Sequence, residues 1–147
     1  MGANESIILL AEDDDDDYFL TRDAFQEARC SGRLRRVKDG EDLMDYLNRR
    51  GEYQNLNGSS RPLLILLDLN MPRKDGREAL KEIKSDPRLK GIPVVILTTS
   101  RADEDLEHTY ELGVNSFIRK PASFSEFVEI VKTLKKYWIE TVEVPRH

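Results

Sequence analysis

Apolar residues fall in two alternating patterns along the chain. Short unbroken apolar runs are each followed by a stretch whose apolar residues recur every three or four positions. Residues 6–11, SIILLA, are a short run of the first kind and predict a buried strand. Residues 15–29 predict a helix, with Leu20, Ala24, Phe25 and Ala28 along one face. A weaker strand is predicted at 33–38 and a helix at 41–50 with Leu43, Met44 and Leu47 inward. Residues 51–62, GEYQNLNGSSRP, are rich in Gly, Asn and Ser and predict a loop. The strongest strand signals are 63–68, LLILLD, and 93–98, PVVILT. Runs with no polar alternation predict burial on both faces, as in a parallel sheet. Helices are predicted at 76–85, with Leu80 and Ile83 inward, and at 102–112, ended by Gly113. A last short strand at 115–118 precedes a helix at 123–138, with Phe124, Phe127, Val128, Val131 and Leu134 at helical spacing.

Strand and helix thus alternate five times. That predicts an α/β domain, a parallel sheet with helices on both faces. Ligands of such folds sit beyond the carboxyl ends of the strands. The first strand ends in Glu12 and Asp13, the third in Asp68, and the fourth in Thr98 and Thr99; Lys120 follows the fifth. Parallel strands would bring all of these to one edge. Three converging carboxylates repel one another, and a divalent cation removes the conflict. Oxygen donors without His or Cys point to Mg²⁺ or Mn²⁺. Lys120 offers a positive charge and Thr98 a hydroxyl, both suited to a phosphoryl group. Asp68 can then act as a nucleophile that forms an aspartyl phosphate. Taken singly, each has a plainer explanation as a turn former, helix cap or surface residue. Four strand ends bearing acid, acid, hydroxyl and amine do not.

Six acidic residues stand in a row at 12–17. Glu12 and Asp13 belong to the strand-end cluster, Asp14 to the turn, and 15–17 to the helix N-terminus, where acids cap free N–H groups and favour the dipole.

The chain has 147 residues and a net charge of −5, which suits one domain and argues against nonspecific nucleic-acid binding. The single cysteine, Cys30, excludes an intramolecular disulfide and fits a reducing, cytoplasmic setting. No apolar run approaches a membrane span, and no secretory signal is visible. His108 and His147 lack metal partners at helical spacing. The alternating Arg33, Arg35, Arg36 and Lys38 read as a solvated sheet edge.

These motifs resemble those of response-regulator receiver domains. Glu12-Asp13, LLDLNMPRKDG at 66–76, VVILTTS at 94–100 and FIRKP at 117–121 occur in that family's order. The resemblance spans about residues 6–138. It implies a flavodoxin-like, doubly wound five-stranded sheet of order 2-1-3-4-5. It implies Asp68 as phosphoacceptor, with Mg²⁺ on Glu12, Asp13, Asp68 and the Asn70 backbone carbonyl. Thr98 would bind the phosphoryl group, Lys120 would pair with it, and Phe117 would be the aromatic switch residue. GEYQN at 51–55, KDGREAL, IPVVILTTS and YWIETVEVP at 137–145 further resemble the stand-alone receivers that pair with bacterial and cyanobacterial phytochromes. A sensor histidine kinase, of phytochrome type, is the partner this implies.

Residues 1–138 are read as one receiver and 139–147 as a short apolar extension, too short for a DNA-binding output domain. Output would be a protein contact or onward phosphotransfer. Trp138, Ile139, Val142 and Val144 appear as apolar residues beyond the core's needs, and exposed apolar clusters mark interfaces. With Tyr110, Ile130 and Tyr137 they form the expected homodimer surface; folding of the tail onto its own domain is the alternative. A haloacid-dehalogenase-type phosphatase would also use a strand-end Asp, but needs an acid two residues later, where this chain has Asn70.

Overall fold

The computed structural model describes residues 7–30, 33–56 and 61–141. Its elements follow the predicted alternation: β1 (Ile8–Ala11), α1 (Asp15–Glu27), β2 (Leu34–Val37), α2 (Gly40–Asn48), β3 (Leu64–Leu67), α3 (Gly76–Ser85), β4 (Val94–Thr98), α4 (Asp103–Leu112), β5 (Ser116–Arg119) and α5 (Phe124–Leu134). The strands are all parallel and ordered β2-β1-β3-β4-β5, a flavodoxin-like doubly wound sheet.

Every residue of β1, β3 and β4 is buried. Alternate positions serve opposite faces. Leu9, Ile65, Leu67, Val94 and Ile96 face a cluster completed by Leu43, Met44, Leu80 and Ile83 of α2 and α3. Ile8, Leu10, Leu64, Leu66, Val95 and Leu97 face the other side, against Ala24 and Phe25 of α1 and Phe127, Val128 and Val131 of α5. This is why these runs carry no polar alternation.

Helix starts are set by side-chain caps. Asp39 accepts from the Asp42 N–H, Ser123 from the Glu126 N–H, and Asp75 forms a reciprocal capping box with Glu78. Gly113 ends α4 at φ 105°, a left-handed position that suits glycine.

Three details depart from expectation. Leu20 is exposed, because the buried stripe of α1 runs through Thr21, Ala24, Phe25 and Ala28, one position round the helix. Burial of Thr21 is made tolerable by its hydroxyl, which donates to the Asp17 carbonyl at 2.8 Å. Phe124 is exposed, since it opens α5 before that helix's stripe of 127, 128, 131 and 134 begins. The last helix does not stop at 138: it continues as a wider π-helical winding over Lys135–Thr141. Trp138 and Ile139, placed by sequence beyond the core's needs, lie partly buried against the α1–α5 cluster. Val142 and Val144 lie outside the described residues.

Candidate functional site

Backbone pairing fixes the strand ends. The Asp68 N–H donates to the Ala11 carbonyl at 3.2 Å, and the Lys120 N–H donates to the Thr98 carbonyl at 2.8 Å. The two bonds bring the ends of β1 and β3, and of β4 and β5, to a common level.

Glu12, Asp13 and Asp68 each offer one carboxylate oxygen within 4.8 Å of the others. Glu12 and Asp68 are buried and Asp13 is exposed. Lys120 Nζ lies 2.5 Å from Glu12 Oε1, 3.0 Å from Asp17 Oδ2 and 3.7 Å from Asp68 Oδ2. Thr98 is fully buried beside them, with its Oγ1 accepting from the Ser100 N–H at 3.2 Å. The Asn70 N–H reaches Asp68 Oδ1 at 3.3 Å, closing a turn after the strand. The predicted residues are therefore assembled from four strand ends.

Burial pushes the Glu12 carboxyl up to about 7, even though the Lys120 ammonium pulls the other way. Burial opposes the charge on Lys120 too, but Asp68, Glu12 and Asp17 outweigh it and raise its pKa. The cluster thus holds more negative charge than one lysine balances. Three hard oxygen donors, with no imidazole or thiolate grouped with them among the described residues, fit a small divalent cation such as Mg²⁺ or Mn²⁺.

Phe117 is half-buried, packs on the α2–α3 side of the core, and has the Arg119 guanidinium 5.3 Å from its ring centre. Of the residues expected at an interface, Tyr110 and Tyr137 are exposed, while Ile130 and Trp138 lean on their own core. Ile118, Glu129, Ile130, Thr133 and Leu134 line a shallow apolar groove between β5 and α5.

Several contributors escaped the sequence reading. Asp17 reads as a helix-dipole acid, yet its carboxylate faces inward to Lys120. Asp14, without a role from sequence, is the α1 N-cap and accepts the Asp17 N–H at 2.9 Å. Asp15 and Asp16 remain exposed. Arg36 is no solvated edge residue, although Arg35 and Lys38 are exposed. Its side chain is 11% exposed and bonded at 2.9 Å to Asp15. It also donates to the carbonyls of Glu12 and Asp13 at 2.9 and 3.1 Å, and lies 4.5 Å from the centre of the Tyr18 ring. The β1–α1 turn is therefore fastened from β2. No local pattern distinguishes Arg36 from its neighbours; only its register opposite Leu10 does.

Gly76 has a strict local reason. A side-chain Cβ there would lie 2.2 Å from the Asp68 carbonyl oxygen. The first turn of α3 is thus seated directly on the loop that carries Asp68, and the Gly76 N–H donates to Leu69 at 3.0 Å.

The chain matches the response regulator receiver domain family over residues 8–132. It is 43% identical to the response regulator Rcp1 of Synechocystis sp. over 95% of this chain and 92% of that protein. The Mn²⁺-bound form of Rcp1 superposes with a TM-score of 0.84, covering 95% of this chain and 99% of that one. The phosphorylated cyanobacterial phytochrome response regulator RcpA superposes with a TM-score of 0.86 at 45% identity, covering 96% and 99%. "Probable methanogenesis regulatory protein FilR2" of Methanothrix harundinacea is 41% identical over 90% of this chain and 83% of its own length.

Proposed function

The chain belongs to the response regulator receiver domain family, and from that premise we propose that it is a phosphoacceptor signalling protein, receiving a phosphoryl group on Asp68 from a histidine kinase. The observation that carries this reading is the meeting of Asp68, Glu12, Asp13, Thr98 and Lys120 at four strand ends, with Lys120 Nζ 3.7 Å from Asp68. In the transfer, the P–N bond of a kinase phosphohistidine breaks as a P–O bond to an Asp68 oxygen forms. The imidazole nitrogen keeps the electron pair and takes up a proton. Lys120 then shifts its charge toward the new phosphoryl oxygens, and the Thr98 hydroxyl donates to one of them. These are positioning and charge effects, which suffice for phosphoryl transfer. Glu12, Asp13, Asp68 and the Asn70 carbonyl would hold Mg²⁺ or Mn²⁺, which supplies charge neutralisation at those oxygens.

Phe117, at the edge of the core, is the residue that would repack when Thr98 moves. A phytochrome-type kinase as partner is supported by the similarity to Rcp1 and RcpA. Residues 1–138 act as the receiver and 139–147 as an extension, in the cytoplasm. Signalling runs through protein contacts, and the net charge of −5 argues against a nucleic-acid partner; among the described residues no helix is long and apolar enough to cross a bilayer. The face of α4, β5 and α5 that carries the exposed Tyr110 and Tyr137 and the partly buried Ile130 and Trp138 is assigned to a homodimer; Val142, expected there too, lies outside the described residues. Sedimentation of the full chain across a concentration series tests that assignment, and a monomer throughout would refute it.

Incubation with acetyl phosphate and Mg²⁺ tests the main reading. The expected result is an acid-stable, base-labile gain of one phosphoryl group, located at Asp68 and absent in Asp68→Asn. Turnover of phosphoesters without such an adduct would overturn it.

A further inference from the structure

The β4–α4 turn is held by more than its backbone. Ser100 donates its N–H to Thr98 Oγ1 at 3.2 Å and its hydroxyl to Asp105 Oδ2 at 2.6 Å. Ser100 Oγ also accepts the Ala102 N–H at 3.3 Å. Asp105, in the first turn of α4, accepts both arms of the Arg77 guanidinium at 2.7 Å each. Arg77 sits in the first turn of α3, and its Nη1 also donates at 3.3 Å to the carbonyl of Leu69, the residue after Asp68. An unbroken chain of bonds thus runs from Thr98 through Ser100, Asp105 and Arg77 to the Asp68 loop. Its central link is a planar, bidentate, charge-assisted pair, the strong kind. The side chains are 31% and 14% exposed, so solvent screens the pair only in part.

We propose that Arg77 is a positioning residue: acting through Asp105 and Ser100, it holds the Thr98 turn and the start of α4 in their resting places, and this clamp yields before Thr98 turns toward a phosphoryl group on Asp68. The inference rests on the reading of Asp68 as phosphoacceptor. Thr98 Oγ1 is engaged by the Ser100 amide, so turning the hydroxyl breaks or stretches that bond. The strain passes to Ser100 Oγ and from there to Asp105, which Arg77 anchors. A weaker anchor makes the turned state cheaper. A ligand that favours that state then binds more tightly. Mg²⁺ alone gains nothing from the loss of Asp105, which bonds Ser100 and Arg77 and none of the residues that would hold the ion.

Calorimetric titration of the full chain separates these effects. Mg²⁺ is titrated first, then beryllofluoride, a phosphoryl mimic, at saturating Mg²⁺. Arg77→Ala and Asp105→Asn are expected to bind beryllofluoride about five- to tenfold more tightly than the unaltered chain. Arg77→Lys falls between, and the Mg²⁺ Kd stays the same in Asp105→Asn, which leaves the Arg77 contact with Leu69 in place. Unchanged or weaker beryllofluoride binding in the folded variants overturns the proposal, as does a parallel shift in the Mg²⁺ affinity of Asp105→Asn. If Arg77→Ala does not fold, Asp105→Asn, which keeps the shape of the side chain, decides. An unaltered chain that takes up no beryllofluoride, or an Asp68→Asn variant that takes it up equally, refutes the phosphoacceptor reading itself, and the clamp falls with it.

Discussion

Lys120 Nζ lies 2.5 Å from Glu12 Oε1, a contact that spans 108 residues of sequence and joins the end of β5 to the end of β1. Both side chains are almost wholly removed from solvent, at 7% and 1% exposure. The pair therefore behaves as a buried one, in which removing either partner strands the other.

Lys120→Met should abolish stable phosphoryl signalling and also unsettle Glu12. At pH 8, where Glu12 is ionised, the loss in urea-melt stability is expected to be about 2–3 kcal/mol, below the usual range for a broken buried pair because the carboxyl can escape by taking up a proton. At pH 6 the penalty should shrink. An equal loss at both pH values would mean that Glu12 does not carry the effect.

The same carboxyl sets a pH dependence in the unaltered, metal-free chain. Its folded pKa, about 7, lies above the unfolded value of 4.5. The stability it contributes is fully present below 4.5 and is lost as pH rises through about 7. Divalent cations need the ionised form, so Mg²⁺ affinity should climb with pH and level off above about 7, weakening by up to about tenfold per unit below it. Fluorescence or calorimetric titration at pH 6, 7 and 8 would reveal the slope, and a flat profile would contradict the assignment.

The acidic run should respond position by position. Asp13→Ala is expected to abolish Mg²⁺-dependent phosphorylation, and Asp16→Ala to leave it mostly intact. Asp14→Ala removes the α1 cap and should cost about 1 kcal/mol in thermal or urea melts. Equal loss of phosphorylation in Asp13→Ala and Asp16→Ala would show that the run acts as one motif.

Gly76→Ala would press a methyl group into the Asp68 carbonyl, and backbone on both sides leaves little room to yield. A destabilisation of about 1–3 kcal/mol is expected. Acetyl phosphate labelling should slow as well, because the displaced loop is the one that carries Asp68. A variant as stable and as reactive as the parent would show that the loop gives way freely.

Much of this site is legible in the sequence because the chemistry lies where the strand pattern ends. Long apolar runs mark β1, β3 and β4, and the first polar residue after each run is a site residue or its neighbour. Arg36, Asp17, Arg77 and Asp105 are less legible. Their roles come from pairing with residues distant in sequence, and charged residues on helices and edge strands look alike until register and helix rotation are known. Leu20 fails for a related reason, and Trp138 follows the alternative that the sequence leaves open. A one-position rotation decides which side of a helix is buried, and a tail's destination depends on a groove assembled from other elements. Asp14 shows that within a run of identical side chains only backbone geometry selects the cap.

Strand β2, with Arg35 and Arg36, is the edge strand beside the apolar β1, and it covers β1 along its whole length. Were β2 to detach, the backbone edge of Ile8–Ala11 would be open, four apolar residues long, with charge only beyond its end at Glu12. Segments of this kind, like the LILL strand beside it and the VVILT strand beyond that, are prone to cross-chain pairing. Arg35, exposed, and Arg36, pinned to the β1–α1 turn, thus put charge and anchorage on the strand that closes this edge, the arrangement by which sheet edges are kept from pairing with a second chain.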